Sequence, residues 1–195
     1  MSAFAQLLAA RLAARDPAAA PPDARQAAVA VVLRAAPLLD VLLMTRAERP
    51  EDRWSGQVSL PGGHAELHDA DLRATAVRET REELGLDLDV CATPLGRLPA
   101  LQARARGGLL PLYLTPWIFV QTEDARLVVG AEARDAFRLP LGPTWAGEFD
   151  AAYPYRRGDT LVELPAWRFQ ERVVWGMTHR ILRELLELAP DLWGG

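Results

Sequence analysis

The chain has 195 residues, half of them hydrophobic and a quarter charged, with a net charge of -4, the profile of one globular domain able to bury a core without staples. All 22 basic residues are arginine, which excludes Schiff-base chemistry and a Walker-type phosphate loop, and the acidic balance leaves no footprint for general nucleic-acid binding. Cys91 is the single cysteine, so an intrachain disulfide and a cysteine-based zinc site are ruled out and the residue reads as a small core side chain.

Phe4, Leu7, Leu8 and Leu12 recur at helical spacing, so residues 1–24 are predicted to be an amphipathic helix ending in the linker DPAAAPPDA. That helix would dock on the body of the protein or serve a homodimer. Arg11 and Arg15 interrupt its apolar part and no basic n-region precedes it, so a secretory signal is not expected. No charge-free apolar run reaches the roughly 18 residues of a membrane span, which predicts a cytoplasmic chain without a membrane partner.

Residues 25–195 make the predicted main domain. QAAVAVVLR and LLDVLLMTR are apolar runs of strand length, followed by a polar loop in which Glu48, Glu51 and Asp52 stand among Arg46, Arg49 and Arg53. VSLPGG reads as a short strand running into a glycine turn. A helix is expected from Asp69 or Asp71 to Leu84, because Leu72, Ala76, Thr80 and Leu84 step by four and Gly85 sits where a glycine ends a helix. Strands are then predicted at 88–95, 109–113 and 116–122, a strand-like RLPL after Glu132, and a hairpin followed by a strand in GDTLVELPAWRF. A last amphipathic helix carries Ile181, Leu182, Leu185, Leu186 and Leu188. Many strands with two separated main helices predict the α/β class, a mixed sheet between helices.

Glu79, Glu82 and Glu83 stand at i, i+3 and i+4, on one face of the predicted helix, where like charges repel. Three carboxylates on a rigid face beside a glycine turn suit a hard divalent cation that takes its remaining ligands from water and substrate phosphates. The spacing from Arg78 to Leu86, R-E-x-x-E-E-x-G-hydrophobic after Pro61-Gly62-Gly63, resembles the Nudix box. That resemblance implies an α/β/α sandwich and hydrolysis of a nucleoside diphosphate linked to another group, with Mg²⁺ or Mn²⁺ held by Glu79, Glu82 and Glu83 and with Arg78 orienting them. Ala70 stands eight residues before Arg78, where the box has a glutamate, so Asp69 or Asp71 is the substitute to look for, and Thr80 occupies a normally apolar position.

The preceding segment, LLMTRAERPEDRWSGQVSLPGG, is similar to the one before the box in coenzyme A pyrophosphatases, with Met44 and Leu60 in place of the usual Thr and Phe. WGMT near the C-terminus resembles the same branch. The implied substrate is coenzyme A, cut to 3′,5′-ADP and 4′-phosphopantetheine. Other nucleotide pyrophosphates and a non-catalytic nucleotide-binding module are the alternatives. The resemblance further implies a carboxylate from a later loop, for which Glu132 is the candidate general base or extra ligand, with Glu123 and Asp124 behind it. Substrate phosphates would fall to Arg46, Arg49 and Arg53 and to the backbone at Gly62 and Gly63, with Arg104 and Arg106 as second choices. Catalysis would then rest on Glu82, Glu83, Arg78 and Glu132. His64 and His68 flank the turn, Trp54 could stack on a base, and Trp117, Trp175 and His179 read as packing residues.

Overall fold

A computed structural model describes residues 1–15, 17–21, 23–35, 38–50, 54–105 and 108–194. At its centre lies β1 (Arg25–Arg34), parallel to β7 (Gly108–Gln121) and antiparallel to β2 (Asp40–Arg46). Around them the main sheet runs β3 (Val58–Ser59), β2, β1, β7, β5 (Ala92–Arg97), with β4 (Gly62–His64) on β1, β6 (Leu101–Ala105) on β7 and β8 (Ala133–Pro140) on β2. A second antiparallel sheet has the order β11 (Arg172–Trp175), β10 (Thr160–Phe169), β9 (Asp150–Arg157).

β1 is apolar at successive positions because both its faces are covered. Val29, Val31 and Leu33 join one core, shared with Leu8 and Leu12 of α1 (Ala3–Ala13), Trp167, Val174 and Leu182 and Leu185 of α5 (Gly176–Leu188). Ala28, Ala30 and Val32 join the other, under Ala76, Val77 and Leu84 of α2 (Leu72–Leu84) and Leu88 and Cys91 of α3 (Leu88–Cys91). Helices therefore cover both faces of a mixed sheet, as expected from the sequence. The N-terminal helix uses its apolar face within the chain: Phe4 meets Trp193 edge-on at 5.9 Å and Arg11 pairs with Asp191 at 2.6 Å.

Three local expectations change. Residues 88–91 form a helical turn rather than the start of a strand, because the Asp87 carboxylate accepts the Asp89 N–H and Leu88 and Cys91 are buried on one side. The two strands expected at 109–113 and 116–122 are one continuous β7, in which Pro116 lacks a donor but still accepts the Leu98 N–H with its carbonyl at 2.9 Å. GDTLVELPAWRF supplies a turn and the single strand β10, which pairs with the unforeseen β9. β6 and the short α4 (Leu141–Trp145) were not legible either, their runs being too short for a period.

Among the described residues no helix is long and apolar enough to cross a membrane.

Candidate active site

α2 begins where the Asp71 carboxylate accepts the Ala74 N–H at 2.7 Å, and it ends at Gly85, whose φ of 65° is left-handed. Thr80, buried where an apolar residue was expected, is satisfied by donating its hydroxyl to the Ala76 carbonyl at 2.7 Å. The acidic face so fixed lies against β4, the strand formed by the glycine turn.

Glu83 is almost fully buried and accepts the Gly62 N–H at 2.8 Å, while Arg46 approaches its other oxygen at 4.0 Å. Burial pushes the Glu83 carboxyl up to about 8, which the Gly62 N–H only partly offsets. Burial raises Glu79 as well, against the pull of Arg78. Glu82, on the same face, is mostly exposed.

The two glycines have separate steric reasons. At Gly62, φ is +148° and a Cβ would lie 2.2 Å from the Ala28 carbonyl oxygen. At Gly63 a Cβ would meet the Glu79 carboxylate at 2.6 Å, so this position gives Glu79 its room.

Arg78 ties the helix to the turn. Its Nε donates to Asp69 Oδ1 and its Nη2 to Asp69 Oδ2, each at 3.0 Å, Nη2 also reaching the His64 carbonyl at 3.0 Å. Nη1 donates to Glu79 at 2.9 Å and to Glu82 at 3.4 Å. Of the two aspartates left open by the sequence, Asp69 is thus the partner of Arg78 and Asp71 is the helix cap. Asp69 is fixed within the 66–69 turn, where the Glu66 N–H and the Thr75 hydroxyl both donate to Asp69 Oδ2 at 2.9 Å. The Arg78 guanidinium holds Asp69 well below the usual carboxylate range.

Because that shift is downward, the stability Asp69 contributes is complete above its unfolded value of 3.8 and declines as the pH falls toward its folded value. Asp69→Asn is expected to lower the unfolding free energy by about 2 kcal/mol at neutral pH. Urea titrations at neutral pH and near pH 2.5 should show that gap narrowing with acid; an equal gap at both contradicts the pairing.

Glu132 reaches the site because its loop is sewn to the end of α2: the Val128 N–H donates to the Leu84 carbonyl at 2.9 Å and the Gly130 N–H to the Glu83 carbonyl at 2.7 Å. Its exposed carboxylate accepts from Arg49 at 3.3 Å, and Arg49 also donates to the Ala131 carbonyl at 3.1 Å. Two residues expected to serve substrate and water therefore meet as an ion pair. Arg53 and Arg106 lie outside the described residues. Arg104, on β6, and Glu123 and Asp124 are exposed. His64 is lowered by burial and by the nearby Arg25 and Arg46, whereas His68 is exposed beside Glu66. Trp117 packs under α2, and His179 lies over Trp167 at 4.2 Å. Trp175, expected to belong to the packing of the last helix, instead stacks on Tyr153.

Among the described residues no three His, Cys, Asp or Glu side chains are already gathered in an arrangement that could hold a metal ion. Glu79 and Glu82 are turned to Arg78, and Glu83 to the Gly62 N–H. The donor chemistry nevertheless fits a hard divalent cation: all the donors are carboxylate oxygens, and in two of them burial disfavours the charged form that a bound cation would favour.

An α/β/α sandwich whose helix C-terminal half presents three glutamates and an aspartate-locked arginine beside a glycine turn is the arrangement that the resemblance to the Nudix box implied. Residues 24–135 match the family model described as the NUDIX domain. The chain is 33% identical over 169 residues to a protein of Citrobacter koseri described as uncharacterized Nudix hydrolase NudL, covering 83% of this chain and 81% of the relative. It is equally identical, over 167 residues, to the protein of the same description from Salmonella paratyphi B. The crystal structure of a MutT/nudix family protein from Enterococcus faecalis shares the fold, with a TM-score of 0.56 at 17% identity over 97% of this chain and 70% of that one. The chain belongs to the Nudix family, as a hydrolase of pyrophosphate bonds.

Proposed function

We propose that this hydrolase cleaves the pyrophosphate of coenzyme A or its derivatives, giving 3′,5′-ADP and 4′-phosphopantetheine, with Glu79, Glu82 and Glu83 holding Mg²⁺ or Mn²⁺. The observation that carries the reading is the α2 face itself, with Glu79 and Glu82 on Arg78 and Glu83 on the Gly62 N–H. Its three intact carboxylates favour turnover over nucleotide binding alone. When bound, the cation would neutralise charge building on the phosphoryl oxygens and favour ionisation of the attacking water.

The chain's own groups do the rest. Arg78, held in both directions by Asp69, keeps Glu79 and Glu82 in place beneath the reacting phosphate. The Gly62 N–H fixes the Glu83 carboxylate, and the glycines let the phosphate chain approach the backbone closely. Glu132 takes the proton of the attacking water once Arg49 turns from it to a phosphate oxygen, since the guanidinium can donate to only one of them through the same N–H. Arg46, 4.0 Å from Glu83, is the second phosphate partner. Arg53, on the same loop, is the third, by its place in the sequence.

Coenzyme A is favoured by the segment from Leu42 to Gly63, which supplies these arginines and the glycine turn together. The test is a kinetic comparison, with Mg²⁺ present, of coenzyme A, an acyl-coenzyme A, ADP-ribose, NADH, diadenosine polyphosphates and oxidised dNTPs. Coenzyme A or its acyl form is expected to have the highest kcat/KM. Turnover of the nucleotides without turnover of either coenzyme would overturn the substrate assignment.

A further inference from the structure

WGMT, Trp175 to Thr178, is the one sequence motif that the carboxylate helix does not account for. Three of its four residues have a structural task. Gly176 has a φ of +64°, which turns the chain from β11 into α5. The Thr178 hydroxyl donates to the Val58 carbonyl of β3 at 3.1 Å, and β11 packs against β3. Four residues beyond Val58 lies Gly62, whose N–H holds Glu83. Trp175 is thereby fixed beside the strand that leads into the catalytic turn.

The direction of its ring follows from the registers. Trp167 and Val174 enter the same core as Val58 and Leu60. In β10 and β11 the alternate residues, Ala166 and Trp175, are paired with one another, and Ala166 is also paired with Ala151 on β9. Trp175, Ala166, Ala151, Tyr153 and Tyr155 therefore leave the sheet on the face away from that core. Ser59 likewise leaves β3 opposite Val58, and its hydroxyl is buried without a hydrogen-bond partner. Tyr153 and Trp175 reach over the small Ala166 from the two outer strands and stack with centroids 4.0 Å apart and planes at 11°. Tyr155 leans on Trp175 at 5.7 Å. The three residues are half-buried, so part of the stack reaches solvent beside β3.

We infer that the Tyr153 and Trp175 rings, with Tyr155 beside them, form a stacking platform for the aromatic base of the nucleoside diphosphate whose pyrophosphate lies at α2. The inference rests on the hydrolase reading of α2 and adds the part of the substrate that the carboxylates do not touch. A base stacks on rings of this kind through its π-face, with little dependence on its edge pattern. The platform would thus select a nucleoside over a simple pyrophosphate without reading one particular base.

The test is calorimetric titration of the full chain with ADP and with inorganic pyrophosphate, in wild type, Tyr153→Leu and Tyr153→Phe, alongside turnover of the panel above by the wild type. In Tyr153→Leu the Kd for ADP is expected to rise about tenfold while that for pyrophosphate stays the same. Tyr153→Phe, which keeps the ring, should bind ADP as the wild type does. Pyrophosphate binding serves as the check that the leucine variant is folded at its site. Unchanged ADP affinity in Tyr153→Leu, or equal losses of ADP and pyrophosphate, would overturn the platform. Absence of turnover by the wild type on every pyrophosphate would instead overturn the hydrolase reading.

Discussion

Glu83→Gln is expected to abolish most turnover, by about a hundred- to a thousandfold in kcat, and to leave the metal-free protein at least as stable as the wild type. The two effects have one cause. Glu83 is almost fully buried and accepts the Gly62 N–H at 2.8 Å. Burial holds its carboxyl up at about 8, so keeping it charged in the fold costs free energy. Gln keeps an oxygen for the Gly62 N–H and removes that cost. It also removes the charge that a divalent ion would need. Thermal unfolding in chelator at mildly basic pH, set beside the kinetics, checks both halves. A variant that loses stability with activity would make Glu83 a structural residue, and one that keeps full activity would remove it from the chemistry.

Gly62→Ala is expected to destabilise the protein by about 4 kcal/mol, near the upper end for a single substitution. The new Cβ would lie 2.2 Å from the Ala28 carbonyl oxygen and 2.6 Å from Val29 Cα, at a φ of +148° that a side-chain-bearing residue rarely adopts. No flexible group can yield there, because both obstacles are backbone in the central strand. β4 would have to leave β1, and the bond from Gly62 to Glu83 would go with it. Gly63→Ala provides the contrast. The atoms nearest its Cβ belong to the flexible end of Glu79, so activity should fall with little loss of stability. Denaturant midpoints of the two variants separate the cases, and a wild-type midpoint for Gly62→Ala would contradict the close approach of turn and strand.

The carboxylate helix was legible because every part of it is local: Glu79, Glu82 and Glu83 share a face by helical spacing, Gly85 stops the helix, and the glycine turn precedes it. Asp69 could be proposed but not chosen over Asp71, since both lie near the expected position. Only the path of the 66–69 turn brings Asp69 under Arg78. The ion pair of Arg49 with Glu132 joins residues 83 positions apart and could not be read at all. It depends on the Val128 and Gly130 N–H groups closing on the last carbonyls of α2. β1 announced itself by a continuous apolar run of strand length, and α5 by the period of its apolar face. β9, with Pro154 at its centre, carried no such signal, and with β9 unforeseen the stacking of Tyr153 on Trp175 could not be foreseen either.

The claim that one face of α2 holds the divalent ion for pyrophosphate cleavage is tested most directly by titrating Mg²⁺ into wild type and Glu82→Gln while following hydrolysis of the best substrate. Glu82 is mostly exposed, so its loss should leave the fold intact and isolate the chemistry. Saturable Mg²⁺-dependent turnover in the wild type, nearly absent from Glu82→Gln at every Mg²⁺ concentration, is the predicted result. Full turnover by the variant with an unchanged Mg²⁺ dependence would contradict it.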